Sequence, residues 1–253
     1  MEKIDMNAFS RSELLLGEDG MRRLADCTVM VFGIGGVGSH LTDALARGGI
    51  GRLILVDADT VSVTNINRQS VAFLSTVGQY KTDIMRKRIA DICPDTEVLT
   101  YETFVLPENI GSLMESIPGT IDYVADAIDT ISAKLALAEY CTAHRIPLIS
   151  CMGTGNKLHP EMFEITDISN TSVCPVCKVM RRELKKRGIS RLQVLYSKEP
   201  PMTPLSGEEF RNPESKHRRP VPGSVSFVPP VAGLFIAGEI LRTLCAHTDL
   251  TQK

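Results

Sequence analysis

Thr28-Val29-Met30-Val31-Phe32-Gly33-Ile34-Gly35-Gly36-Val37-Gly38-Ser39-His40-Leu41 is the stretch that decides the fold. Its first five residues are apolar apart from Thr28, without the polar alternation of a half-solvated strand, and so read as a strand covered on both faces. A cluster of glycines follows, and then the helical periodicity of Val37 to Ala46. Gly33 permits a tight turn, Gly35 lets the backbone approach a phosphate, and Gly38 lets helix and strand pack closely; the helix N-terminus adds free amides and a positive dipole end. Asp57 stands at the tip of the next apolar run, Arg52 to Val56, nineteen residues beyond Gly38. A carboxylate at that place meets ribose hydroxyls. The stretch therefore reads as a nucleotide site.

Outward from it, strand-like and helical runs alternate. Lys81 to Ile92 is helical, Val98 to Tyr101 a strand, Glu108 to Glu115 helical, Ile121 to Ala125 a strand, Ile131 to Ala143 helical, and Pro147 to Cys151 a strand. Such alternation predicts a doubly wound, mainly parallel sheet of the α/β class. Gly48-Gly49 sits where a helix C-cap is wanted, and Pro107 just ahead of a helix start. Within Lys81 to Ile92, the residues Ile84, Met85, Ile89 and Ile92 share the face that packs on the sheet. After Gly155 the regularity fades. A charged helix, Lys178 to Arg187, leads to a stretch holding Pro200, Pro201, Pro204, Pro213, Pro220 and Pro222, for which a long mobile excursion is expected. An apolar helix, Ala232 to Leu244, is expected to return to the core. The chain reads as one domain over 1–253, with a nucleotide-binding core at about 24–155 and a substrate-side segment and C-terminal return at about 156–253.

With 253 residues, 43% of them apolar and 23% charged, the chain is long and apolar enough to bury its own core, which excludes disordered and collagenous classes. The longest apolar run, Val225 to Ala237, is broken by Pro229, Pro230 and Gly233, so no membrane span is expected. The first ten residues carry Glu2 and Asp5 and lack a leader-like apolar stretch, which predicts a cytoplasmic protein. Seven cysteines, an odd number, suit thiols in a reducing compartment rather than a disulfide framework.

A glycine cluster alone would also suit an NAD- or FAD-dependent oxidoreductase. The residues after Asp57 argue otherwise: Asp57-Ala58-Asp59-Thr60-Val61-Ser62-Val63-Thr64-Asn65-Ile66-Asn67-Arg68-Gln69 puts one arginine and two asparagines beyond the ribose-binding acid, and Lys81 opens the next helix. Two cations on the phosphate side suit a triphosphate better than a diphosphate bridge. Asp126-Ala127-Ile128-Asp129 adds two carboxylates at the carboxyl edge of the sheet, where one can hold magnesium. The nucleotide-binding set is then Gly33, Gly35, Gly36, Gly38, Asp57, Asp59, Asn65, Asn67, Arg68, Lys81 and Asp126. Asp129 is preferred for the metal, because Asp126 also reads as a simple cap on the strand end.

Gly-x-Gly-Gly-Val-Gly-Ser, Asp57, Asn65-x-Asn67-Arg68-Gln69, Gly78-x-x-Lys81 and Asp126-x-x-Asp129, in this order, resemble the ubiquitin-activating-enzyme-like (ThiF-type) adenylyltransferases, which have a Rossmann-like fold. Within them, Met152-Gly153-Thr154-Gly155-Asn156-Lys157-Leu158, the stretch around Thr171 to Leu184, and Gly223 to Pro229 are similar to the tRNA threonylcarbamoyladenosine dehydratases. The resemblance implies ATP and magnesium, and a tRNA whose threonylcarbamoyladenosine carboxylate attacks the α-phosphate and then cyclises. It implies Asp57 on ribose, Asn65, Arg68 and Lys81 on phosphates, Asp129 on magnesium, and a homodimer in which Arg11 reaches the ATP of the other subunit. The implied catalytic residues are Arg11, Arg68, Lys81 and Asp129. A sulfur-carrier or cysteine-desulfurase-related protein partner is a further implication.

Three features lie outside that core. Cys174-Pro175-Val176-Cys177 invites a zinc reading, but only Cys245 and His247 could complete it, at poor spacing; a buried pair without a metal or catalytic role is the plainer reading. Lys178 to Arg191 holds seven cations against the single acid Glu183, with Arg181, Arg182, Lys185 and Lys186 as candidates for tRNA contact, and Lys216, Arg218 and Arg219 form a second basic cluster. A solvated helix face is the alternative for the first. For the activity as a whole, the rivals are an adenylyltransferase acting on the C-terminal glycine of a ubiquitin-like sulfur carrier, the oxidoreductase, and a non-catalytic nucleotide sensor.

Overall fold

The computed structural model describes residues 7–205 and 222–245. In chain order they form α1 (Ser10–Asp26), β1 (Thr28–Phe32), α2 (Gly38–Arg47), β2 (Arg52–Val56), α3 (Lys81–Ile92), β3 (Glu97–Tyr101), α4 (Ile110–Glu115), β4 (Tyr123–Asp126), α5 (Ile131–His144), β5 (Leu148–Cys151), β6 (Phe163–Asp167), α6 (Pro175–Lys186), β7 (Gln193–Ser197) and α7 (Val228–Cys245). The strands make one seven-stranded sheet in the order β3-β2-β1-β4-β5-β7-β6. Every pairing is parallel except that of β6 with β7.

The doubly wound, mainly parallel α/β class expected from the sequence is the one observed. Alternate residues of the central strands feed opposite faces, as the two-residue period requires. Val29, Val31, Leu53 and Leu55 pack with Leu41 and Leu45 of α2 and Ile236 and Ile240 of α7. Met30, Phe32, Ile54 and Val56 pack on the other face with Leu113 of α4 and Leu137 of α5. A third cluster joins Met180 and Leu184 of α6 to Val194 and Tyr196 of β7. Strand order reverses between β1 and β4, which opens a crevice at their carboxyl ends where ligands of such sheets bind.

Several expectations needed correction. α7 begins at Val228, not Ala232, because Pro229 and Pro230 fall in its first turn, where a missing amide hydrogen costs nothing. Its 18 residues are long and apolar enough to cross a membrane by length and composition, so the apolar-run argument against a span does not hold. What occupies its apolar face is protein: Ala232, Gly233, Ile236, Ala237 and Ile240 are buried, and Gly233 lies so close to α2 that a Cβ there would stand 2.4 Å from the Val37 carbonyl oxygen. α6 starts at Pro175 rather than Lys178. α1, β6 and β7 were not foreseen. α1 buries only Gly20 and Leu24 and is kinked at Gly17, so it carries little apolar signal. The basic cluster Lys216, Arg218 and Arg219, and most of the proline-rich stretch expected to be mobile, lie outside the described residues, as does His247.

Candidate active site

At Gly33 and Gly38 the turn between β1 and α2 has no room for a side chain. Gly33 is left-handed, with φ of 88°, and a Cβ on it would meet the Ala127 carbonyl oxygen at 2.9 Å; a Cβ on Gly38 would stand 1.7 Å from the Gly33 carbonyl oxygen. This close packing seats the N-terminus of α2, where a helix offers unpaired amides and a positive dipole end, at the carboxyl end of β1. Asp57, just past β2, accepts from the Ile34 amide at 2.6 Å and from the Asp59 amide at 2.8 Å, joining the glycine turn to the next segment. Burial pushes the Asp57 carboxyl above its ordinary range, against the pull of Lys81 and of these two amides.

Lys81 opens α3, and its ammonium lies 2.7 Å from the Asp59 carboxylate. The lysine side chain is almost wholly buried while Asp59 is half-exposed, so the charge is held at the rim of the crevice by a partner that water reaches. Arg68 is placed differently. Its guanidinium donates to the Thr64 carbonyl at 3.0 Å and to the Asn67 side chain at 2.8 Å, both neutral acceptors. Its stem lies over the glycine turn: a Cβ on Gly36 would be 3.3 Å from the Arg68 Cγ. Behind it, the His40 imidazole reaches the Arg68 carbonyl at 3.2 Å. Asn65 accepts from the Ser62 amide at 3.0 Å and shapes the short turn Val63–Asn65. Asn67 donates to the Ser224 carbonyl at 2.9 Å, tying this loop to the stretch before α7. Gln69 is buried beside Gly35, and its side-chain oxygen has no partner among the described residues.

The two carboxylates after β4 have opposite environments. Asp126 is buried, 3.0 Å from the Lys134 ammonium, and accepts from Ser150 at 2.5 Å and from the Ile128 amide at 3.0 Å. Lys134 also donates to the Cys151 carbonyl at 2.6 Å. Asp126 thus has the strand-end role that was its alternative reading, and both its oxygens are engaged. Asp129 is exposed on the turn before α5, near only the Thr130 hydroxyl at 3.4 Å, and pairs with no cation among the described residues. One free carboxylate suits magnesium, which takes one or two protein oxygens and fills its shell with phosphate and water. No cluster of three or more metal-binding side chains occurs among the described residues. Lys134 and Ser150 were missed in the sequence; the signal was a lone lysine in the apolar run Ile131 to Ala138, eight residues past Asp126.

Farther out, Arg11 is exposed in the first turn of α1 and forms no ion pair among the described residues. On α6, Arg182 and Lys186 are exposed and share Glu183 at 3.0 Å each, while Lys185 is exposed. These contacts hold the Glu183 carboxyl down to about 2. Arg181 departs from the expected surface role: its guanidinium turns inward to the Thr171 carbonyl at 2.8 Å and to the Thr171 hydroxyl. Cys174 and Cys177 are buried in the third cluster and Cys245 in the first, so Cys245 is not brought to the pair.

The ThiF family model matches residues 9–253. The chain is 45% identical over 250 residues to the tRNA threonylcarbamoyladenosine dehydratase of Bacillus subtilis (strain 168), covering 97% of each. It superposes on the crystal structure of E. coli tRNA N6-threonylcarbamoyladenosine dehydratase, TcdA, in complex with ATP, with a TM-score of 0.83, 32% identity and 94% of each chain covered. It is also 36% identical over 148 residues to the molybdopterin-synthase adenylyltransferase of Salmonella typhimurium (strain LT2), covering 58% of each.

Proposed function

The chain belongs to the ThiF family, and from that premise we propose that it is an ATP-dependent tRNA threonylcarbamoyladenosine dehydratase working through a carboxyl adenylate. The observation that carries this reading is the placement of two cations, Arg68 over the glycine turn and Lys81 beside Asp57 and Asp59, in a chain that superposes on an ATP complex of such a dehydratase. Two cations there match a triphosphate better than the diphosphate bridge of a hydride carrier.

In this reading the amides at the start of α2 and the Asp57 carboxylate seat the nucleotide. The substrate carboxylate attacks the α-phosphate and pyrophosphate leaves; the carbamoyl group of the same modification then closes on the activated carbonyl, giving up a proton as AMP leaves, and the base has lost one water. The nucleophile is already ionised, so the barrier is chiefly phosphate charge, and positioned cations are the useful catalysts. Arg68 gives up neutral acceptors and Lys81 a half-exposed carboxylate, which makes both easy to recruit by a triphosphate. Magnesium, when bound by Asp129, supplies further charge neutralisation on the phosphates.

We assign the exposed face of α6, with Arg182, Lys185 and Lys186, to the tRNA backbone. Arg181 is left out of that contact because Thr171 holds it. A homodimer is supported by exposed apolar side chains on the neighbouring helices α1 and α7: Leu14 and Leu15 are 84% and 83% exposed, Leu234 and Phe235 53% and 44%. Arg11 lies one turn from Leu14 and Leu15, and would enter the other subunit's site from there. A tRNA substrate fits the cytoplasmic location expected from the sequence.

The sulfur-carrier reading shares the same core, as the similarity to the molybdopterin-synthase adenylyltransferase illustrates, but leaves the basic face of α6 without a task. A sulfur-carrier or cysteine-desulfurase-related partner rests on resemblance alone. Equilibrium binding of ATP and NAD, followed by AMP release with either threonylcarbamoyladenosine tRNA or a sulfur carrier, separates the readings. Tight ATP binding and tRNA-dependent AMP release are expected. Release stimulated by the carrier alone, or preferential binding of NAD, overturns the proposal.

A further inference from the structure

Arg68 sits on the loop over 57–80, which is exposed along most of its length and turns inward at Gln69, Val71 and Ala72. Arg68 is the last residue before that dip, so its side chain is aimed by whatever holds its own carbonyl and the peptide units that follow. Two helices supply the grip. The His40 imidazole of α2 reaches the Arg68 carbonyl at 3.2 Å through Nε2. A carbonyl only accepts, so Nε2 carries a proton, as it does in one neutral tautomer and in the imidazolium. Next to His40, the fully buried Ser39 accepts the Ser70 amide on its hydroxyl at 3.0 Å. From α3, Arg88 donates to the Ser70 carbonyl at 3.3 Å and pairs with Asp43 of α2 at 2.5 Å. α7 packs against the same turn of α2: a Cβ on Gly233 would stand 3.3 Å from the His40 Cβ.

We propose that His40 is a positioning residue of the nucleotide site, which together with Ser39 holds the backbone at 68–70 so that Arg68 lies over the glycine turn. The Arg68 stem is where this requires, since a Cβ on Gly36 would be 3.3 Å from the Arg68 Cγ. The first turn of α2 then acts twice. Its N-terminus offers unpaired amides to an anion, and its side chains set the cation that meets the same anion. A guanidinium already held in place loses less freedom on meeting a phosphate than one carried on a free loop. Neither His40 nor Ser39 needs to touch the ligand. This role rests on the reading of Arg68 as a phosphate-binding residue.

The test is ATP affinity by calorimetry on the full chain, for the wild type, His40→Leu, His40→Gln, Ser39→Ala, Arg68→Ala, and Arg68→Ala combined with either His40→Leu or Ser39→Ala. His40→Leu keeps the bulk and loses the donor, and is expected to weaken ATP binding roughly 5- to 10-fold, the order of one hydrogen bond. His40→Gln, whose amide can still donate to the Arg68 carbonyl, should recover most of that loss, which a packing role alone would not allow. In the Arg68→Ala background His40→Leu should cost less than about twofold, because residues that act through one another do not add. Ser39→Ala should show the same dependence on Arg68 and stands in for His40→Leu if that variant misfolds. Unchanged ATP affinity in Arg68→Ala overturns the phosphate role of Arg68 and this one with it. A loss in Arg68→Ala accompanied by no loss in His40→Leu and Ser39→Ala, by full loss in His40→Gln, or by losses that multiply in the double variants overturns the positioning role alone.

Discussion

The Lys134 ammonium lies 3.0 Å from the Asp126 carboxylate, with the two side chains only 2% and 0% exposed. The pair locks the carboxyl ends of β4 and β5 to α5, and through them fixes the turn that carries Asp129. Removing one partner strands the other charge in the core, so Lys134→Met is expected to cost about 3–5 kcal/mol in urea unfolding. Lys134→Met combined with Asp126→Leu should recover much of that loss, because an apolar pair of similar bulk has no charge to desolvate. A single variant as stable as wild type would mean that the pair is solvated.

His40 ties acidity to the site. Burial lowers its imidazole below the ordinary 6.5, with Asp43 and Arg88 as its nearest charged influences. The unfolded chain therefore binds the proton more tightly, and the stability His40 contributes is present above pH 6.5 and lost as pH falls through its lower folded value. Thermal unfolding across that window should show a drop that His40→Gln reduces. An unchanged profile in the variant removes His40 from the pH dependence.

On α6, replacing Arg182, Lys185 and Lys186 with glutamate should weaken tRNA binding and flatten its dependence on salt, since each lost phosphate contact removes roughly one released counterion. ATP binding is the control and should not move. Arg181→Gln should act through stability instead, by freeing the Thr171 carbonyl. Equal salt slopes for the wild type and the triple variant would make α6 a solvated face.

Arg11 is tested by subunit mixing. Arg11→Ala and Asp129→Asn should each be inactive alone, and hybrids of the two should recover activity, because one site of each hybrid dimer has both residues native. Absence of recovery after demonstrated subunit exchange would place Arg11 outside the neighbouring site.

What was legible in the sequence had local causes. The strand from Thr28, its glycine turn and the acid at Asp57 follow from steric and electrostatic needs that neighbouring residues show together. Lys134 and Ser150 were not legible, since their partner Asp126 is a different strand's residue and only tertiary packing joins them. Arg181 and Arg182 are adjacent and chemically alike; the helix turns one to Thr171 and the other to solvent, which charge counting cannot separate. β6 was hidden because its residues mix polar and apolar and are mostly only half-buried at the sheet edge, and β7 because no helix follows it directly to continue the alternation.

Arg68, Lys81 and Asp129 are proposed to serve carboxyl adenylation on tRNA. The most direct test is the mass of the modified nucleoside after incubating the protein with ATP, magnesium and tRNA bearing threonylcarbamoyladenosine, with AMP measured alongside. Loss of one water from the nucleoside with one AMP per turnover is expected, slowed about 10²–10³-fold by Asp129→Asn or Arg68→Ala in folded protein, as when a charge-stabilising contact is removed. An unchanged nucleoside mass with wild-type protein that demonstrably binds ATP, or full turnover by Asp129→Asn, would contradict it.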